Sequence, residues 1–203
     1  MRILESHETV PRPSGAFSVC VYCGSSPAAP SAHLALAAEL GRAIAQNGWR
    51  YVYGGGGLGL MGAGALAAHD SGGAVLGILP RFLEQREPPP AHIPLLRVDT
   101  MHERKWLMFR ESDAFVVLPG GIGTLEELVE VTSWMRLDLH KKPIIVLGRA
   151  YWTPFYQLLD HMTEARYMPA GFTAQLPLAD SAAEAVDLLR LAAEAVQAPE
   201  AAQ

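Results

Sequence analysis

Cysteine is nearly absent: Cys20 and Cys23 are the only two in a chain of 203 residues. A single C-x-x-C with no second Cys or His pair has too few ligands for structural zinc. As a redox motif it should open a helix, yet Phe17 to Cys23 reads as a strand running into Gly24-Ser25-Ser26. The pair is expected to be ordinary strand residues. An excess of positive charge is missing too. The net charge is −5, which argues against nucleic acid or a membrane surface as partner. It leaves room for a small anionic ligand in a local basic pocket. No apolar run approaches the ~18 residues of a membrane span. Met1 to Ser14 is polar and proline-bearing, without the apolar centre of a signal peptide, so a cytoplasmic chain is expected. There is no H-E-x-x-H, no paired histidine and no acidic cluster at metal-ligand spacing. There is also no G-x-S-x-G elbow. Neither a metal nor a cofactor is expected.

What is present describes a globular α/β chain. Half of the residues are hydrophobic and 18% are charged, the balance of a packed domain. Strands are predicted at 17–23, 49–53, 74–79, 95–98, 114–118 and 143–147, with a short edge segment at 176–178. Helices are predicted from Ser31 as N-cap to about Asn47, from the glycine run 54–62 to Gly72, and at 101–112, 124–138, 152–166 and 181–196. The central strands are continuous apolar runs, as strands covered on both faces should be. The expected fold is a single Rossmann-like domain over 17–197: a doubly wound, mostly parallel sheet. Residues 1–16 and 198–203 read as tails. In such sheets ligands sit at the carboxyl ends of the strands.

Two glycine loops fall at such ends. Gly54 to Gly62 contains G-x-G-x-x-G and opens a helix, the context of a dinucleotide fingerprint. The next strand ends Gly77-Ile78-Leu79-Pro80, without the acidic residue that would hold a ribose. That leaves a packing turn or another kind of nucleotide contact. The second loop is Pro119-Gly120-Gly121-Ile122-Gly123-Thr124-Leu125-Glu126-Glu127. Glycines in front of a helix N-terminus make an anion site. Two carboxylates directly behind it oppose an anion, a conflict of the kind that marks functional sites. Thr124-x-x-Glu127 also fits a capping box, which is the structural alternative. Met101-His102-Glu103-Arg104-Lys105 opens the helix before the strand that feeds this loop, and its two cations belong either to a solvated patch or to the same crevice. The helix 124–138 is apolar on more than one side, through Leu125, Leu128, Val129, Val131, Trp134, Met135 and Leu137. An outer helix needs one apolar face. The surplus suggests a partner subunit, with a covering segment of the same chain as the alternative.

Taken together, Cys23-Gly-Ser-Ser26, Tyr53-Gly-Gly-Gly-Gly-Leu-Gly-Leu-Met-Gly62, Met101-His-x-Arg-Lys105 and Pro119-Gly-Gly-x-Gly-Thr-x-x-Glu127 closely resemble the LOG family of cytokinin riboside 5′-monophosphate phosphoribohydrolases, often called lysine decarboxylase-like. The resemblance implies hydrolysis of the N-glycosidic bond of an N6-modified AMP, or of AMP itself, to free base and ribose 5-phosphate. It implies Arg104 and Glu127 as the catalytic pair. It also implies nucleotide contacts from Lys105, Gly120, Gly121, Ile122, Gly123, Thr124, Leu125, Glu126 and Thr132. Glu87 matches a glutamate that faces the substrate, although the loop around it departs from the usual pattern at Pro88-Pro89-Pro90. A homodimer with its interface near the site is implied as well. A non-catalytic nucleotide or molybdenum-cofactor carrier on the same fold is the alternative. A pyridoxal-phosphate decarboxylase is disfavoured. Lys141 and Lys142 lie outside any recognisable cofactor motif, and the resemblance assigns Lys105 to the nucleotide.

Overall fold

The computed structural model describes residues 3–4, 12 and 15–197. Among the described residues eight strands form one sheet: β1 (Ile3–Leu4), β2 (Ser18–Tyr22), β3 (Arg50–Tyr53), β4 (Val75–Pro80), β5 (Leu95–Val98), β6 (Ala114–Val117), β7 (Ile144–Leu147) and β8 (Leu178–Ala179). Their order is β1-β5-β4-β3-β2-β6-β7-β8, and every described pairing is parallel. Six α-helices among the described residues cover the sheet: α1 (Ser31–Gln46), α2 (Gly59–Asp70), α3 (Met101–Arg110), α4 (Ile122–Arg136), α5 (Arg149–Glu164) and α6 (Ala182–Gln197). None among the described residues is long and apolar enough to cross a membrane.

Strand alternation divides the core. Val19 and Val21 face a layer built with Leu40 and Ile44 of α1, Ala65 and Ala68 of α2 and Leu189 of α6. Cys20 and Tyr22 face the opposite layer, with Leu107 and Met108 of α3, Leu128 and Val131 of α4 and Trp152 of α5. The two cysteines therefore belong to different layers, and both are buried and free. Helix α1 crosses α2 at Gly41 and Gly64, where a Cβ on Gly41 would lie 2.1 Å from the Gly64 carbonyl oxygen.

From β2 the chain builds outward through β3, β4 and β5. It then returns to the other side of β2 and continues through β6, β7 and β8. The direction of winding reverses between β2 and β6, so their carboxyl ends diverge into a crevice, the place where this architecture binds ligands.

Three expectations are corrected. Within the segment read as a tail, Ile3–Leu4 forms an edge strand beside Leu95–Leu96, pairing the otherwise open edge of β5. Arg12 is ion-paired with Asp113. The rest of that segment up to Ser14 and all of 198–203 lie outside the described residues. Second, α4 begins at Ile122 with Gly121 as its N-cap, two residues before the expected start. Thr124 therefore lies inside the helix, and the Thr124–Glu127 capping box does not form. In the same way Pro30, not Ser31, caps α1. Ser181 caps α6, accepting from the Glu184 N–H at 3.2 Å.

Candidate active site

The crevice is formed by the turns that leave β2 and β6. Gly24 N–H donates to the Pro119 carbonyl at 3.0 Å, and Leu60 N–H at the start of α2 donates to the Gly24 carbonyl at 2.9 Å. These bonds lock the two turns to each other and to α2. The resulting cleft holds about 650 Å³ and is lined by Cys23–Ser26, Leu60, Met61, Glu87, Met101, Arg104, Pro119–Thr124, Glu126, Glu127, His33 and Tyr151 among others. That volume is ample for a small molecule.

One wall is the start of α4. Its cap residue Gly121 offers no side chain to the first turn, which contains no acidic residue. The first-turn N–H groups and the positive dipole end thus sit at the cleft. Gly120 is required by close approach: a Cβ there would lie 2.1 Å from Thr124 Oγ1. Tyr151 at the start of α5 donates its hydroxyl to the Gly120 carbonyl at 2.5 Å, and His33 of α1 packs edge-on against its ring.

The acids follow in the second turn of α4 and differ sharply. Glu126 is half-exposed and ion-paired with Lys105, whose ammonium also reaches Glu130 at 2.9 Å. Glu127 is 6% exposed. Burial pushes its carboxyl up from 4.5 to about 7, with Arg104 opposing the rise and Glu126 adding to it. Such a value suits a proton acceptor near neutrality.

Arg104 stands in the first turns of α3. Thr100 caps that helix, accepting from the Glu103 N–H at 3.1 Å, while the Glu103 carboxylate returns to the Asp99 N–H at 3.1 Å. The Arg104 side chain is buried and lies on Gly54, donating to its carbonyl at 3.2 Å. A Cβ on Gly54 would collide with the guanidinium at 1.9 Å. Its Nε is buried with no hydrogen-bond partner among the described residues. On the far side, Glu87 accepts from the Ser25 hydroxyl at 2.7 Å.

The cleft brings together Glu87, Arg104, Gly120, Gly121, Ile122, Gly123, Thr124, Glu126 and Glu127 of the expected residues. Three others lie elsewhere in the single chain. Leu125 packs against the core. Thr132 is buried with its hydroxyl unpartnered among the described residues. Lys105 lines a separate groove with Trp106, Phe109, Trp134 and Leu139. The glycines of the first loop pack against the chain, while Leu60 and Met61 at its end line the cleft. None of Gly54 to Gly59 lines the cleft, and their missing side chains admit Arg104, Glu87 and the Pro88 carbonyl. Sequence reasoning missed His33, Met61 and Tyr151. Tyr151 was within reach of it, since it follows the carboxyl end of β7, where ligand-facing residues gather.

The family model described as "Possible lysine decarboxylase" matches residues 61–189. The rice (Oryza sativa subsp. japonica) cytokinin riboside 5′-monophosphate phosphoribohydrolase LOG is 44% identical over 144 residues, 70% of this chain and 60% of its own length. A cytokinin riboside 5′-monophosphate phosphoribohydrolase of Rhodococcoides fascians is 45% identical over 148 residues, 71% of this chain and 74% of its own. LOG4 of Arabidopsis thaliana is 39% identical over 173 residues, 84% of this chain and 80% of its own. Against the rice relatives LOG and LOGL5, the chain spans 60% and 53% of their length. Among solved structures, the molybdenum cofactor carrier protein of Chlamydomonas reinhardtii superposes with a TM-score of 0.69 at 20% identity, over 88% of this chain and 99% of its own. At that identity the likeness speaks to the fold alone. With more than half of its length matched by the family model, and relatives 39–45% identical over most of it, this chain belongs to the LOG family.

Proposed function

We propose that this protein hydrolyses the N-glycosidic bond of a nucleoside 5′-monophosphate, an N6-modified AMP or AMP itself, releasing the free base and ribose 5-phosphate. The observation that carries the reading is Glu127: a buried carboxyl held near neutrality, one helical turn beyond an N-terminal anion site and opposed by Arg104. The 5′-phosphate rests on the first-turn N–H groups of α4 and on the Thr124 hydroxyl. Fixing the phosphate orients the ribose at the acidic end, so that binding energy from a remote group serves the reacting centre.

In the reaction the C1′–N bond to the base breaks and a water oxygen bonds C1′. Charge at C1′ is positive in the transition state, and the Glu127 carboxylate stabilises it while taking the proton of the attacking water. The base leaves with its bonding electron pair and takes a proton from solvent, and Glu127 returns to solvent the one it took from the attacking water, so that the step balances. Arg104 is too weak an acid to supply that proton readily. It stabilises the departing base or the ligand's charge by hydrogen bonding from the cleft wall. Glu126, neutralised by Lys105, adds less to the field at C1′ than its place in the sequence suggests. A pure carrier would leave the cost of burying Glu127 without a purpose.

The relatives' names support the substrate class. We place the protein in the cytoplasm as a homodimer joined through the exposed apolar surface of α3 and α4. The direct test is incubation of the pure protein with AMP, N6-isopentenyl-AMP and adenosine. Free base should appear from the nucleotides and not from the nucleoside. Equal cleavage of adenosine would remove the phosphate role of the loop, and no release from either nucleotide would remove the enzyme.

A further inference from the structure

What the second glycine loop offers an anion depends on where its carbonyl groups go. The Pro119 carbonyl accepts from Gly24 N–H at 3.0 Å, and the Gly121 carbonyl accepts from Leu125 N–H at 3.1 Å. Between them the Gly120 carbonyl accepts from the Tyr151 hydroxyl at 2.5 Å. Each carbonyl from Pro119 to Gly121 is thus aimed at a donor of the protein. Two of the three donors are backbone N–H groups that the fold supplies. The third is a side chain 31 positions further along the chain.

The Gly120–Gly121 peptide is the unit that most needs holding. Both of its residues are glycines, whose φ and ψ are the least restricted. A Cβ on Gly121 would meet nothing within 4 Å, so packing does not fix its orientation. The peptide is trans, like all others among the described residues, and a trans peptide points its C=O and N–H in opposite directions. Rotating it would exchange a donor for an acceptor beside the first turn of α4, where a carbonyl oxygen would repel an anion.

Tyr151 is itself firmly placed. The start of α5 is seated on the loop: its cap Gly148 is left-handed at φ 104°, and a Cβ there would lie 3.3 Å from the Pro119 ring. The Tyr151 ring is braced at nearly right angles by the buried Trp152, with centroids 5.2 Å apart, and by His33 of α1 at 5.7 Å. Tyr151 and His33 both line the cleft. The single hydroxyl proton of Tyr151 is committed to Gly120, so it has none to give a phosphate oxygen.

We propose that Tyr151 is a positioning residue for the anion site. Its hydroxyl latches the Gly120–Gly121 peptide in the orientation that accepts a phosphate, and His33 acts through it by bracing the ring. This inference rests on the reading that the loop holds the 5′-phosphate of the substrate.

The experiment measures KM for AMP, and competitive inhibition of base release by ribose 5-phosphate and by inorganic phosphate. The wild type is compared with Tyr151→Phe, His33→Ala and the double variant. Tyr151→Phe removes only the hydroxyl. It should weaken all three ligands by one common factor of about 10-fold, since they share only the phosphate, and leave the melting temperature nearly unchanged. His33→Ala should weaken them about 3-fold in the wild type and add nothing in the Tyr151→Phe background, because residues acting through one contact are non-additive. Unchanged affinities, or losses that come with a lowered melting temperature, overturn the inference. A loss confined to AMP overturns it too, because Tyr151 would then be meeting the base. Equal loss from His33→Ala in both backgrounds overturns the claim that His33 acts through Tyr151. A wild type that releases no base from AMP overturns the phosphoribohydrolase reading instead, and calorimetric titration of wild type and Tyr151→Phe with ribose 5-phosphate then decides the latch by the same comparison. A wild type that binds none of the three ligands overturns both.

Discussion

Glu127 stands where a carboxylate is costly, and the sign of that cost can be measured. Its folded-state value is about 7 against an ordinary 4.5. Between those values the folded protein binds more protons at this group than the unfolded chain does, so this contribution to stability is present in acid and is lost as pH rises through about 7. Above that, the ionised form costs about 3 kcal/mol relative to an exposed carboxylate. Glu127→Gln should therefore raise the melting temperature at about pH 8 by several degrees, with little change near pH 5, while turnover falls at least ~1,000-fold. Paired thermal melts and base-release assays read both effects. A variant destabilised at both pH values would mean that Glu127 is structural. The same group predicts an acidic limb in kcat/KM near pH 7, with activity falling below it as Glu127 takes up a proton. A flat profile from pH 6 to pH 8 would exclude Glu127 as the proton acceptor.

Helix termini decide where these side chains point, and they were only partly legible. Three stretches share the Ser/Thr-x-x-Glu signature: Thr100–Glu103, Thr124–Glu127 and Ser181–Glu184. The first and third are working caps, each Glu returning to the N–H before its cap residue. At Thr124 the glycines let the helix start earlier, with Gly121 in an extended conformation at the cap. The pattern is local, but the choice between cap and site depends on the space that Gly24 and Gly120 share across β2 and β6. The packing of the first glycine loop was illegible for the same reason: its close partners, Glu87, Pro88 and Arg104, lie some thirty to fifty residues away in sequence. The two threonines should respond differently. Thr100→Ala should lower stability by about 1 kcal/mol through the lost cap and reduce kcat/KM by loosening Arg104. Thr124→Ala should leave the melting temperature nearly unchanged and raise KM for the monophosphate. Denaturant titration beside kinetics separates the two, and a large stability loss at Thr124→Ala would restore the capping role. Gly41→Ala supplies an independent check on the packing of α1 against α2. The added methyl meets the backbone of Gly64, so overpacking should cost about 1–3 kcal/mol.

The alternation of strands and helices gave the architecture, and the carboxyl-end rule placed the cleft, because both follow from periodicity along the chain. Strand order did not follow from it, since it is set by which apolar faces meet. What a single chain leaves uncovered bears on assembly. Trp106, Val129, Leu137 and Leu139 are 49–67% exposed, on α3, on α4 and just beyond it. Trp106 and Leu139 border the groove that Lys105 lines. Lys105 and Thr132, expected at the nucleotide, stand outside the cleft of one chain. A second copy seated on this surface would cover the apolar patch and bring the groove of one subunit beside the interface. Size-exclusion chromatography with light scattering should therefore give twice the chain mass. Trp106→Asp should shift the protein to monomer, because a charge at the centre of an apolar interface is left desolvated and unpaired. Base release should fall with the dimer population and recover at higher protein concentration. A Trp106→Asp monomer with undiminished turnover would show that one chain holds a complete site, and would leave the patch to some other partner.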